Sequence, residues 1–385
     1  MRVTFISNYL THHQIPFCEE MYKILGDDFK FISTIPMENE REKMGWKLSQ
    51  QYPYEIKLYK NKEIKNEILN LIDNSDVVII GSAKDELIIN RLKNNKITFK
   101  YSERLYKGGL NITNLLKSIA SAWLHHGRFQ KYPLYMLCAS AYTAHDVKIF
   151  GNYKNRTFKW GYFPEVTKYN LDILLNKKKH KIVEILWCGR LIELKHPELA
   201  LLVLHKLLDE GYECHLTMIG SGPLAEILHH QANVYGVENK VTFIDFLPHS
   251  EVRYYMEKAN IYLFTSDFNE GWGAVLNEAM NSGCAIIASH AIGSVPFLVK
   301  HNKNGLIYRN GDTSDLYQNI KYLLDNRDII EKLGMQAYET IINMWNAEIA
   351  AKRFINLVQD ISNKEKIRYI DGPCSVATDI KNNWW

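Results

Sequence analysis

Short apolar runs alternate with amphipathic stretches along most of the chain. RVTFIS (2–7) reads as a strand, Gln14 to Leu25 has helical period, and FKFIST (29–34) reads as a strand again. DVVIIG (76–81) and KITFKYS (96–102) continue the pattern, with a helical stretch from Asp85 to Asn94 between them. Such alternation predicts a parallel sheet with helices on both faces. A Lys-rich stretch, Asn176 to Lys181, interrupts it and reads as a linker. The alternation then restarts with VEILWCG (183–189), a helix from His196 to Glu210, CHLTMIG (214–220), a helix from Leu224 to Tyr235 and VTFID (241–245). IYLFTS (261–266) and CAIIAS (284–289) supply two further strands. The expected class is α/β, with two doubly wound domains facing each other across a cleft. The expected bounds are 1–169 for the first domain, 170–181 for the linker and 182–345 for the second domain. Residues 346–385 form a final helix and tail, the helical part (about Leu316 to Ile361) able to return to the first domain. The tail after Asn363 has no period, and its closing Trp384-Trp385 pair gives no reading.

Length and composition agree with two soluble domains: 385 residues, 46% apolar and 23% charged. The six cysteines, Cys18, Cys138, Cys188, Cys214, Cys284 and Cys374, show no C-x-x-C or metal-ligand spacing, which suits reduced intracellular thiols. No signal peptide precedes the first strand and no apolar run approaches membrane-spanning length, so a cytoplasmic protein is expected. The net charge of +4 is uneven, about +7 over residues 1–165 and about −3 over the rest. Most of the excess comes from Lys107, Lys117, Arg128, Lys131, Lys148, Lys154, Arg156 and Lys159, mixed with Trp123, Phe129, Tyr132, Tyr135 and Tyr142. This reads either as a solvated face around core aromatics or as a surface that meets anionic lipid or a pyrophosphate-bearing acceptor. The lipid reading would bring the protein to the inner face of the plasma membrane. Nucleic acid is not expected as a partner, since no recognition motif accompanies the charge.

Three strand ends of the second half carry candidate chemistry. CGRLIELKHP places Arg190 and Lys195 five residues apart on a turn leading into a helix, where they could clamp a diphosphate; two surface cations are the plainer reading. IGSGPL (219–224) is a Gly-x-Gly-Pro turn that any tight strand-to-helix connection could use. NEGWGAVLNEAM (269–280) sets Glu270 and Glu278 on either side of a Gly-x-Gly turn that opens a helix. The helix start attracts an anion, while carboxylates accept hydrogen bonds from hydroxyls. Phosphate flanked by polyols describes a nucleotide sugar.

NEGWGAVLNEAM resembles the E-x7-E motif of the retaining glycosyltransferase family 4. CGRLIELK, IGSGPL, FIDFLPHSEVRYYMEKANIYLFTS and MNSGCAIIASHAIGSVPFLVKHNKNGLIY agree with that family in order and spacing, over about Glu184 to Tyr308. The resemblance implies the GT-B fold, two doubly wound Rossmann-like domains. It implies that Glu270 binds hydroxyls of the donor sugar and Glu278 those of the ribose, while Arg190 and Lys195 hold the diphosphate as it leaves. Gly271 and the backbone at Gly273, Ala274 and Val275 would contact the donor. The base would sit near Phe246 and Leu247, and Gly220 and Gly222 would let the chain pass close to the ligand. Trp272 suits either a sugar pocket or packing. The implied reaction needs no metal or other cofactor, in keeping with the lack of a D-x-D segment, and uses neither glutamate as a covalent nucleophile.

On the acceptor side the resemblance rests on architecture. SNYLTHHQIPF (7–17) lacks the Gly-Gly turn of many relatives and offers His12, His13 and Gln14 instead, for acceptor hydroxyls, proton transfer or a plain surface role. KYSERLYKGG (100–109) has Ser102, Glu103 and Arg104 where relatives often carry a histidine; Glu103 and Arg104 could pair structurally or read a polar acceptor, and Lys107 would suit an acceptor phosphate. CASAYTAHD and WGYFPE (160–165) resemble the end of the family's first domain. The expected function is transfer of a sugar from a nucleotide-sugar donor, a UDP-sugar ahead of a GDP-sugar, to a saccharide or lipid-linked acceptor in cell-surface polysaccharide synthesis. The alternatives are a nucleotide-sugar epimerase and a catalytically silent GT-B partner subunit. The intact donor motifs argue against both.

Overall fold

The computed structural model describes residues 1–38, 50–60, 65–107, 109 and 115–385. They divide into two compact units, one holding residues 1–165 and 346–384, the other residues 166–345 and 385. No helix among the described residues is long and apolar enough to cross a membrane.

The first unit is built on β1 (Val3–Ser7), β2 (Phe29–Ser33), β3 (Glu55–Lys57), β4 (Val77–Ile80), β5 (Thr98–Ser102), β6 (Leu134–Cys138) and β7 (Thr157–Lys159). The strands are parallel, in the order β3-β2-β1-β4-β5-β6-β7, so the order reverses between β1 and β4. β1 and β4 are buried throughout, as a sheet covered on both faces requires. The helix Ala347–Ser362 belongs to this unit and packs on Ile15–Leu25; Phe354 meets Phe17, Phe99 and Trp160 with ring centroids 5.1–6.4 Å apart. The aperiodic tail has a structural task. Cys374 N donates to Lys159 O, Lys159 N to Ser375 O and Ala377 N to Thr157 O, and Phe158 bridges antiparallel to Val376. The tail thus covers the open edge of β7. Beyond it, Trp384 Nε1 donates to Tyr142 Oη at 2.8 Å.

The second unit holds β8 (Val183–Cys188), β9 (Cys214–Ile219), β10 (Val241–Ile244), β11 (Ile261–Phe264), β12 (Ala285–Ser289) and β13 (Leu306–Tyr308), parallel and in the order β10-β9-β8-β11-β12-β13. Here the order reverses between β8 and β11. Ligands of such sheets bind outside the carboxyl ends of the strands at the reversal.

Two expectations need correction. The stretch read as a linker is largely a helix, Leu171–Lys177, capped by the Asn170 side chain. Its Leu174 is buried, and the ammonium of Lys178, just past its end, donates to Met256 O and Ala259 O. Lysine-rich composition suggested solvent, but two carbonyls satisfy the buried charge. The long C-terminal helical stretch is three helices, Thr313–Asp325, Arg327–Asn343 and Ala347–Ser362. Strands β3, β6, β7 and β13 add to those read from the apolar runs; three of the four are only three residues long.

Candidate active site

Two loops meet at the strand reversal of the second unit. One leaves β8 through Gly189 and Arg190; the other leaves β11 through Thr265 and Ser266. Backbone and side chain lock them together. Asp267 N donates to Leu194 O at 3.0 Å, and Thr265 Oγ1 donates to Lys195 O at 2.6 Å while accepting from Trp187 Nε1 at 2.9 Å. The lock carries Lys195 onto Glu270. Its ammonium donates to Glu270 Oε2, which also accepts from Ser266 Oγ at 3.0 Å, and it lies 5.5 Å from the Phe264 ring centroid. Both side chains of the pair are 13% exposed. Arg190 is different: it is exposed, and its guanidinium makes no ion pair with any described residue. One cation is therefore held by a carboxylate and the other stands open.

Glu278 lies on the helix Val275–Asn281 and is 6% exposed, with Oε1 2.9 Å from His249 Nε2. Gly271 is buried, and Ala274 and Val275 lead into the same helix. Gly273 has φ +81°, and a Cβ there would collide with the Phe264 ring, so the turn between the glutamates needs glycine. Phe246 (54% exposed) and Leu247 follow β10, the outermost strand, at the carboxyl side of the same sheet.

The structure bears on two donor-side readings. Trp272, read as suiting either a sugar pocket or packing, packs: it is fully buried, its ring tilted against those of Phe297 and Trp345, and it donates from Nε1 to Asn277 Oδ1 at 2.9 Å. At Gly220 and Gly222 the close approach is to protein. A Cβ at either would strike the carbonyl of Gly189 or Leu191, where Gly189 N donates to Ile219 O and Leu191 N to Ser221 O. The glycines let two loops run backbone against backbone and so fix Arg190. Ser266, Thr265 and His249 were missed; the partners of Thr265 and His249 are distant in sequence, and although Ser266 lies four residues from Glu270, nothing in its local sequence marks it.

The first unit has a cavity of about 670 Å³ at the carboxyl ends of β1, β4 and β5. His13, Gln14, Glu103, Arg104 and Lys107 line it. His12 is not among its lining residues, but its ring lies 3.8 Å from that of His13, which in turn stacks on Tyr162 at 5.6 Å. Gln14 Oε1 accepts from Thr11 N and Oγ1. Both oxygens of Glu103 are engaged, by Tyr162 Oη and by Lys107 Nζ, each at 2.7 Å. Arg104 does not pair with Glu103. It lies 3.5 Å from Asp146, sits over the Tyr142 ring at 4.7 Å and donates to Asn382 Oδ1, at 6% exposure. Burial pushes the Asp146 carboxyl up, with Arg104 opposing. Gly108 of the KYSERLYKGG segment lies outside the described residues.

A cluster the sequence reading did not single out lies on the same wall. Lys100 Nζ meets Asp85 Oδ1 and His125 O, both at 2.6 Å, and His125 Nδ1 is 2.9 Å from Asp85 Oδ2. Burial raises the Asp85 pKa, but Lys100 and His125 outweigh it and the net shift is downward. Lys100 moves down as well, through burial that Asp85 only partly offsets. The cluster presents an ion pair and an imidazole to the cavity, groups suited to polyhydroxylated or phosphorylated ligands.

Residues 173–340 match the family described as Glycosyl transferases group 1. The amylovoran biosynthesis glycosyltransferase AmsK of Erwinia amylovora is 26% identical over 203 residues, 51% of this chain and 49% of that protein. The D-inositol 3-phosphate glycosyltransferase of Corynebacterium glutamicum is 30% identical over 161 residues, 40% of this chain and 38% of that protein. The matched regions thus span less than half the length of these relatives. Among solved structures, HepE of Anabaena in complex with UDP has a TM-score of 0.68 at 14% identity, covering 94% of this chain and 99% of that one. Sucrose-phosphate synthase of Thermosynechococcus elongatus has a TM-score of 0.65 at 15% identity, covering 95% and 100%. At such identity the likeness establishes the fold, two Rossmann-like units of the GT-B type.

Proposed function

From the match of residues 173–340 to the glycosyl transferases of group 1, we propose that this protein moves a sugar, with retention, from a nucleotide-sugar donor to a glycan or lipid-linked acceptor in cell-surface polysaccharide synthesis. One observation carries the reading: Arg190, Lys195 and Glu270 stand on two interlocked loops at the strand reversal of the second unit. Arg190 and one of the Lys195 N–H groups take the diphosphate, Glu270 takes donor-sugar hydroxyls and Glu278 the ribose. The sugar C1–O bond to phosphate breaks as the C1–O bond to the acceptor forms on the same face. The acceptor's proton passes to a leaving phosphate oxygen. Charge grows on the diphosphate through this step, and fixed cations stabilise it without a metal. The relative HepE was crystallised with UDP, which supports a uridine nucleotide here. The acceptor lies in the first unit's cavity, between Glu103, Lys107 and His13.

The test is a donor panel: thermal shift and slow hydrolysis with UDP-, GDP- and ADP-sugars, on wild type and Glu270→Ala. Stabilisation by one nucleotide class, with turnover lost in the variant and indifferent to EDTA, is expected. If no nucleotide sugar shifts the wild type, the transferase reading fails and a silent subunit takes its place. Turnover abolished by EDTA and restored by a divalent cation would remove the metal-free step alone.

A further inference from the structure

The helix Leu115–His125 has its apolar side outward. Only Ala122 among its 11 residues is buried. At 100° per residue, Leu115, Ile119, Trp123, Leu116, Ala120 and Leu124 fall in that order around one half of the helix. Leu116 (81% exposed) and Trp123 (62%) lie towards the middle of that arc, while Leu115, Ile119 and Leu124 flank them at 38–43%. Exposure therefore peaks where the apolar arc is centred, the reverse of a helix packed on its own core. The other half carries Lys117, Ser118, Ser121, Ala122 and His125, and of these Ser121, Ala122 and His125 line the cavity. Single exposed apolar residues are ordinary; an ordered half-cylinder of them marks a contact surface.

Charge identifies what covers it. From Lys107 to Lys159 the chain has eight Lys and Arg but one carboxylate, Asp146, which is 2% exposed and accepts from Leu105 N and Tyr106 N; Lys107 and Lys159 pair with Glu103 and Asp371, while Lys117, Lys131 and Lys154 are exposed. Lys117 is exposed at the edge of the arc itself. An apolar arc with a tryptophan near its centre and an exposed lysine at its edge, in a stretch of chain rich in cations, matches the interface of an anionic bilayer, acyl chains below and phosphates beside. We propose that the helix Leu115–His125 lies in an anionic membrane surface, and that a lipid-linked acceptor reaches the cavity along the helix's inner side. The membrane contact stands on the helix alone; the acceptor class rests on the transferase reading.

The full-length protein is floated with vesicles of phosphatidylcholine alone and with phosphatidylglycerol added. Wild type should float with the anionic vesicles and lose this at high salt. Leu116→Ser/Trp123→Ser should bind at least ~10-fold less, with unfolding midpoint and donor hydrolysis unchanged. Lys117→Glu, which spares the apolar arc, should weaken binding to the anionic vesicles. Transfer to a lipid-linked acceptor should fall in the double variant while donor hydrolysis persists; absence of hydrolysis in the wild type would instead sink the transferase reading and leave the flotation result standing. The membrane proposal is overturned if wild type stays unbound, if the double variant floats as well as wild type, or if wild type runs as a dimer that the double variant splits, which would assign the arc to a second copy.

Discussion

Arg190 and Lys195 carry the same charge in opposite circumstances, and single substitutions should separate them. Arg190 is exposed, so Arg190→Ala should leave the unfolding midpoint in place while turnover of the donor falls about 100-fold, the usual loss when one stabiliser of developing charge is removed. Lys195→Ala strands the Glu270 carboxylate at 13% exposure, so it should cost stability as well, on the order of 1–3 kcal/mol, read by urea denaturation. His126 gives a pH signature in the other unit. It is 8% exposed, with Nδ1 2.9 Å from Tyr153 Oη, and burial, aided by Lys100, pushes its pKa down to about 3. An unfolded histidine titrates near 6.5, so below that pH the unfolded chain takes up a proton the folded chain refuses. Stability present above about pH 6.5 is therefore lost as pH falls, by about 2 kcal/mol between pH 7 and pH 5. Denaturation curves at the two values should show it, and His126→Gln should flatten it. The residues of the proposed donor site stand out in the sequence because they crowd into short motifs. Their pairings do not: Lys195 and Glu270 are 75 positions apart, and only folding brings them together.

Elements were legible where burial forces an apolar run. Strands β1, β4, β11 and β12, buried at every position, all stood out, whereas β3 is EIK, half-buried at each residue and too short to show a period. The helix Leu171–Lys177 was hidden by the lysines at and after its end, yet its Asn170 side chain accepts from Ile173 N as an N-cap should. Asn170→Ala should cost about 1 kcal/mol in urea unfolding, with no change in donor affinity; a flexible linker there would show no loss. Composition reported what the surface of this segment looks like, while Leu174 and Lys178 face inward. The Gly220–Gly222 turn makes the same point for function. Gly222→Ala should displace the loop of Leu191 and lower both stability and turnover, because its Cβ has no room against the Leu191 carbonyl. Retained turnover in that variant would free the loop from the role assigned to it.

In the molecule as a whole, the two-sheet α/β plan followed from alternation, and the return of the last helix to the first unit was expected as an option, but the task of the tail was not. The last 40 residues looked like a helix and a formless tail, and they complete the first unit: Phe354 and Leu357 are fully buried and the tail covers β7. Removing residues 372–385 should therefore bare the Thr157–Lys159 edge and raise light scattering at constant concentration, with little change in donor binding. The second unit, by contrast, is, Trp385 apart, one stretch of chain whose ends lie close together, Tyr169 N donating to Tyr338 Oη at 2.9 Å. This ordering has a consequence during synthesis. A growing chain offers its amino-terminal segment first, yet residues 1–165 cannot close their core until Phe354 has left the ribosome. The unit made later is the one that can finish first, and the earlier segment waits with its aromatic interior open until the last helix arrives.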